Sequence, residues 1–230
     1  MIHRDKYSDE RYDGVCCYCG SYGDTEDHVP SKVLLDEEFP ENMHKVDCCL
    51  ECNQGFSADE VYFACLIECI IHGSADPEKL ERPKIKRILS EKEHLRRRIS
   101  DCMIIQDGTI TFQPDQEAVE HVLMKLARGH AAFEASKPQF SEPSYFCYKP
   151  VELMSEKETE DFFSEPEADI YPEVGSRLFH QMVITKGTPF SSWVTVQENV
   201  YAYLVISQVS RFSVRLLIWN YLAAEVIWED

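Results

Sequence analysis

Two cysteine pairs of the form C-x-x-C, Cys16–Cys19 and Cys49–Cys52, stand 29 residues apart in this chain of 230. No other feature restricts the fold as much, because two such pairs present four soft thiolates at the reach a tetrahedral zinc ion needs. Holding one ion pulls both segments together and closes the stretch between them into a hairpin. A site closed by four sulfurs is structural and leaves no open position for chemistry. A redox C-x-x-C is expected once, beside a βαβ pattern, and the sequence shows none. Cys17 and Cys48 flank the pairs, yet the two-residue spacing selects Cys16, Cys19, Cys49 and Cys52 as the metal set. The other thiols, Cys65, Cys69, Cys102 and Cys147, read as buried structural residues, with Cys65 and Cys69 on one helix face.

The N-terminal stretch MIHRDKYSDE has no apolar run behind a basic start, so neither a secretory nor an organelle address is visible. Ten cysteines then fit metal ligands and buried thiols better than a disulfide framework, and the expected location is the cytoplasm. The longest apolar run, VYFACLIECIIHG, contains Glu68 and falls short of the roughly 20 residues a bilayer crossing needs. It reads as a core helix, and no membrane association is expected. With 44% hydrophobic and 11% aromatic residues, the length suits one well-buried domain, or a core with a small stapled module attached.

Charge narrows the partners. The net charge is −18, and its distribution is uneven: residues 1–77 carry 5 basic against 17 acidic side chains, residues 78–137 carry 12 against 10, and residues 138–230 carry 6 against 14. An excess of this size repels polyanions, so nucleic-acid binding requires a local basic patch or a bound cation. The one basic stretch holds eight Lys and Arg between residues 82 and 98.

Residues 14–56 carry little apolar content of their own. Ser57 and Glu60 in SADE form a capping-box pattern that predicts a helix opening there and carrying Val61, Leu66, Cys69 and Ile70. Apolar residues at 85, 88, 89, 95 and 99 predict a basic helix, and Val119, Val122, Leu123, Leu126 and Phe133 predict another. On that apolar helix His121, His130 and Arg128 default to packing. Residues 137–175 are rich in Pro, Glu and Ser and read as loops with a short helix near Glu156 to Phe163. WVTVQENVYAYLVIS and SVRLLIW predict an antiparallel sheet of about three strands, with turns at Gln197 to Asn199 and Gln208 to Arg211. Its aromatics, Trp193, Tyr201, Tyr203 and Trp219, read as core.

Between the cysteine pairs lie Asp27, His28 and Asn42, and Asn53 directly follows the last cysteine. If one ion grips both pairs, Asp27 and His28 face Asn53 across a narrow gap. Carboxylate and amide oxygens are hard donors suited to Mg²⁺ or Mn²⁺. A histidine beside such an ion can take a proton from an attacking water while the metal neutralises phosphate charge.

The run CYCG, EDHVPSKVLL, PENMHKVDCCLECNQGFSADE resembles the HNH endonucleases of the ββα-metal, treble-clef type, in the branch with a four-cysteine structural zinc; it is similar to a bacterial HNH group of unassigned role. The resemblance covers roughly residues 14–62. It implies His28 as general base, Asn42 as the residue orienting it, and Asp27 and Asn53 as ligands of a catalytic Mg²⁺ or Mn²⁺. A third ligand is not evident, with Asp59 or Glu60 as candidates, and His44 rivals Asn42. The implied fold class is α+β: a zinc-stapled module over 1–75, then a helical segment and a C-terminal antiparallel sheet over 76–230. The implied activity is hydrolysis of phosphodiester bonds in DNA, in an anti-phage or toxin-like role, with a protein partner or a second copy assisting an acidic enzyme. The competing expectation is a non-catalytic zinc-ribbon adaptor that binds a protein through its acidic surface.

Overall fold

The computed structural model describes residues 10–40, 43–166, 170–184 and 192–229. The fold is mixed α+β, and no helix among the described residues is long and apolar enough to cross a membrane. By contact, the chain groups into two compact units. One holds the chain up to Gln54 and from Met124 onward; the other is Gly55–Leu123.

The first unit begins with an antiparallel hairpin, β1 (Thr25–Val29) and β2 (His44–Cys48), in register from Thr25 opposite Cys48 to Val29 opposite His44. Helix α1 (Leu50–Ile71) follows at once. Its start corrects the sequence expectation, since Ser57 lies inside the helix rather than at its cap. The cap comes from a distant position instead: the Asp24 carboxylate accepts the Leu50 N–H at 3.0 Å, satisfying a donor that the helix leaves open.

The same unit contains a five-stranded antiparallel sheet in the order β5-β9-β8-β7-β6, built from β5 (Tyr145–Pro150), β6 (Val194–Gln197), β7 (Tyr201–Ser207), β8 (Arg211–Ile218) and β9 (Leu222–Glu229). Both anticipated turns are present, but two strands escaped the sequence reading. Strand β9 returns through the three residues 219–221, in a turn closed by Tyr221 N–H to Ile218 O (3.0 Å) whose central residues Trp219 and Asn220 are both at positive φ (56° and 47°), as turns that match the right-handed strand twist require. Strand β5 lies in the stretch read as loops and pairs with β9, a partner more than seventy residues away. The short helix in that stretch is present as α5 (Glu156–Phe163), with a Ser155–Glu158 capping box. The later part of α4 (Gln116–Ala135) covers one sheet face, where His130 Nε2 meets the Tyr201 hydroxyl at 2.8 Å. On the other face Arg215 donates to the Phe162 carbonyl at 3.0 Å, tying α5 to β8. Being covered on both sides, β7, β8 and β9 are buried almost without alternation.

In the second unit the basic segment forms two helices, α2 (Pro83–Glu91) and α3 (Glu93–Asp101), which break at Lys92. The cause lies in the spacing. Ile85 and Leu89 are four apart and so are Leu95 and Ile99, but Leu89 and Leu95 are six apart, which would rotate the second pair off the first pair's stripe. Breaking the helix lets all four turn inward, and all four are buried. A hairpin follows, β3 (Met103–Gln106) and β4 (Thr109–Phe112), closed by Asp107 and Gly108 at positive φ. Cys65 and Cys69 are buried on α1, as expected, and burial pushes both thiols up to about 12. Cys102 is half-buried and Cys147 exposed, so the buried-thiol expectation fails for those two.

Candidate metal centre

The four expected sulfurs come together. Sγ of Cys16, Cys19, Cys49 and Cys52 all lie within 4.8 Å of one another, and Cys19 and Cys49 are 3.7 Å apart. Tetrahedral zinc with bonds of about 2.3 Å needs sulfurs about 3.8 Å apart, so the cluster can hold a zinc ion.

Backbone bonds shape the cradle. Cys16 N–H donates to Ser21 O (2.8 Å) and Gly20 N–H to Cys16 O (2.9 Å), forming a tight knuckle with Gly20 at φ +77°. That knuckle is sewn to β2 by Cys17 N–H to Asp47 O (2.9 Å) and Gly14 N–H to the Asp47 carboxylate (3.0 Å). Cys49 precedes α1 and Cys52 sits in its first turn. Burial pushes the Cys16 and Cys52 thiols up, whereas a side-chain hydrogen bond with Ser21 pulls Cys19 down to about 6. Zinc takes all four as thiolates, so loading releases protons and weakens in acid. Cys17 and Cys48 remain outside the cluster: both are buried, and Cys48, beside the Thr25 hydroxyl at 3.1 Å, is pushed up by burial to about 12.

The hairpin carries the other expected residues. Asn53, one position after Cys52, turns its amide onto β1, donating from Nδ2 to Thr25 Oγ1 (3.2 Å) and to Glu26 O (3.3 Å). Asp27 is two positions beyond Thr25 and shares its face of the strand. Its Oδ2 accepts from the Tyr18 hydroxyl at 2.8 Å and pairs with Lys125 Nζ at 2.7 Å. His28, the next residue, projects from the opposite face, across from Lys45. Burial, then Lys32 and Lys45, lower its pKa, so the imidazole is neutral at pH 7. Asp27 and Asn53 are therefore brought to one side of the hairpin and His28 is set on the other. Asn42 lies outside the described residues.

Other candidates are engaged elsewhere. His44 stacks on Phe133 (centroids 4.0 Å) and faces the Tyr203 hydroxyl at 3.3 Å; burial and Arg177 lower it to about 4. Tyr203 and Arg177 both donate to Glu134, and His130 stacks on Tyr203 at 3.7 Å. In the second unit Asp59 pairs with His121 Nδ1 at 2.7 Å, so His121 is a half-exposed partner rather than packing. His130, fully buried, keeps the expected packing role. Lys32 is exposed, with Nζ 5.7 Å from the centre of the Phe39 ring.

Lys125 is the residue that sequence reasoning missed. It is 1% exposed on α4 and holds both Asp27 and the Ser31 hydroxyl, each at 2.7 Å. One turn later Gly129 lets α4 lie against β1: a Cβ there would come within 2.6 Å of Val29 Cγ2. A lysine inside an apolar helical face, four residues before a glycine, was the only local signal. Its partner is 98 positions away.

No family model, curated protein or solved structure matches this chain.

Proposed function

We propose that the chain is a metal-dependent endonuclease of the HNH type, in which a zinc-clamped treble-clef hairpin presents a divalent-cation site that hydrolyses phosphodiester bonds in DNA. One observation carries this reading. Asp27 Oδ1 and Asn53 Oδ1, on the same side of the hairpin, receive no hydrogen bond among the described residues, while the opposite atoms of both side chains are fixed by neighbours. Two hard oxygens with their partner atoms pinned fit Mg²⁺ or Mn²⁺, which fills the rest of its shell with water and phosphate oxygens. When bound, that ion supplies Lewis-acid stabilisation of charge on the scissile phosphate.

The chain's own residues do the rest. His28, adjacent to Asp27 and neutral at pH 7, is the base in this reading; because it projects from the other face of β1, it takes the proton of the attacking water from a substrate that reaches round the strand. Thr25 and the Glu26 carbonyl hold the Asn53 amide so that its oxygen points away from β1. Tyr18 and Lys125 fix the Asp27 carboxylate. The sulfur cluster keeps strand and helix in register. Replacing His28 by Ala should reduce Mn²⁺-dependent plasmid nicking by about 100-fold or more, with zinc content unchanged. Undiminished nicking by folded, zinc-loaded His28→Ala protein overturns the mechanism.

Two observations favour a second reading, the non-catalytic adaptor. Lys125 already partly neutralises Asp27, and His28 projects from the other face of β1. In that case the acidic surface of a chain with net charge −18 engages a protein partner. Wild-type protein that takes up zinc but neither binds Mn²⁺ nor nicks DNA selects this reading.

A further inference from the structure

Eight basic residues crowd into positions 82–98 of an otherwise acidic chain, and the structure separates those that hold the fold from those that face outward. Arg82 is 5% exposed, and its backbone N–H donates to the buried Glu68 carboxylate at 2.9 Å. The Arg98 guanidinium lies 4.0 Å from the centre of the Tyr62 ring and bonds Asp115 at 2.5 Å. Arg97 pairs with Glu93 one turn earlier. Lys84 also has an interaction within the chain. Lys86, Arg87, Lys92 and Arg96 remain, and none of these four forms an ion pair among the described residues. They lie on α2, on α3 and at the break between them: Arg87 and Lys92 are exposed, and Lys86 and Arg96, half-buried, flank the stripe of Ile85, Leu89, Leu95 and Ile99.

We propose that this outward face of α2 and α3 is a DNA-backbone contact surface, with Lys86, Arg87, Lys92 and Arg96 as the phosphate-binding residues. Two features select a polyanion over a protein partner. Unpaired, solvated ammonium and guanidinium groups suit phosphate contacts, which position a nucleic acid without reading its sequence. A protein interface requires large apolar or aromatic anchors, and between His72 and Met103 no large apolar side chain is exposed among the described residues. The acidity of the remaining chain adds orientation, because a duplex is repelled from most other surfaces and attracted here. The choice of DNA rests on the nuclease reading, but binding is measured without cleavage, so either idea can fail alone.

The test uses full-length, zinc-loaded protein with no added Mg²⁺ or Mn²⁺ and a fluorescein-labelled duplex, read by anisotropy across a salt series. Four phosphate contacts predict a slope of log affinity against log salt of roughly −3.6. Each of Lys86→Gln, Arg87→Gln, Lys92→Gln and Arg96→Gln should make that slope shallower by about 1. The quadruple Glu variant should lose at least about 100-fold in affinity at low salt with an unchanged thermal melt. Because none of the four is buried and Gln keeps much of each side chain's length, the single Gln variants keep the test valid if the quadruple variant unfolds. Duplex affinity and salt slope that do not respond to the single variants overturn the proposal. So does a wild-type self-association that the Glu variants abolish, which would make a second copy's acidic surface the occupant.

Discussion

The cysteine hairpin and the five-stranded sheet belong to the same unit yet are held by different physics. Around β1 and β2 the order comes from point attachments: four sulfurs, the Asp24 cap, the Asn53 amide and the Asp27–Lys125 pair. In the sheet it comes from area, with Leu204, Val214, Leu216, Ile218 and Val226 all buried beside Tyr201 and Tyr203. A point-attached region is sensitive to single atoms, protons and metal, whereas a packed one is sensitive to volume.

The largest effect should separate the two. Cys52→Ser is expected to abolish stoichiometric zinc and unfold the hairpin, because structural zinc binds zinc-finger peptides with apparent free energies of about 10–16 kcal/mol. Leu216→Ala should instead cost about 2–5 kcal/mol in urea unfolding and leave zinc content intact. Zinc analysis beside denaturation curves decides whether the regions differ as described; zinc loss from Leu216→Ala would merge them.

Next in size is Lys125→Met. Removing one partner of a buried pair strands the other, so a loss of about 3–5 kcal/mol is expected. A cost below about 1 kcal/mol would show that the Asp27 contact contributes little.

Acidification probes His44, where hairpin and sheet meet. Its folded pKa of about 4 lies below the ordinary 6.5, so between those values the unfolded chain takes up a proton that the folded chain refuses. The associated stability is complete above pH 6.5 and is lost as pH falls toward 4, by about 3 kcal/mol in all. Unfolding free energies of wild type and His44→Gln at pH 7 and pH 5 should converge on acidification, and parallel curves would remove the assignment.

The smallest effect concerns close approach. Gly129→Ala gains helix propensity of up to about 1 kcal/mol but drives a methyl group against the stiff, fully buried Val29. A net loss of about 1–2 kcal/mol is expected, read as a lower melting temperature with zinc retained.

What was legible in the sequence followed local rules. The C-x-x-C pairs, the short helix near Glu156 to Phe163, the apolar spacing of α4 and the turn residues of the sheet each encode their structure within a few positions. The failures had distant causes. The α1 start was misplaced because its cap lies 26 residues upstream, and β5 was hidden because strand formation there depends on pairing with β9. Within the candidate site, the sequence singled out Asp27, His28 and Asn53 as candidates but not what holds them.

By itself, then, the chain's order of residues determined which sulfurs gather, because ligand spacing and thiolate chemistry need only a short stretch on each side. Tertiary structure alone decided that Asp27 would carry Lys125, that Asn53 would reach the Asp27 side while His28 faced away, and which four of the basic residues would face outward unpaired. These outcomes depend on side chains far apart in sequence competing for the same charge and space, and only the folded chain brings such competitors together.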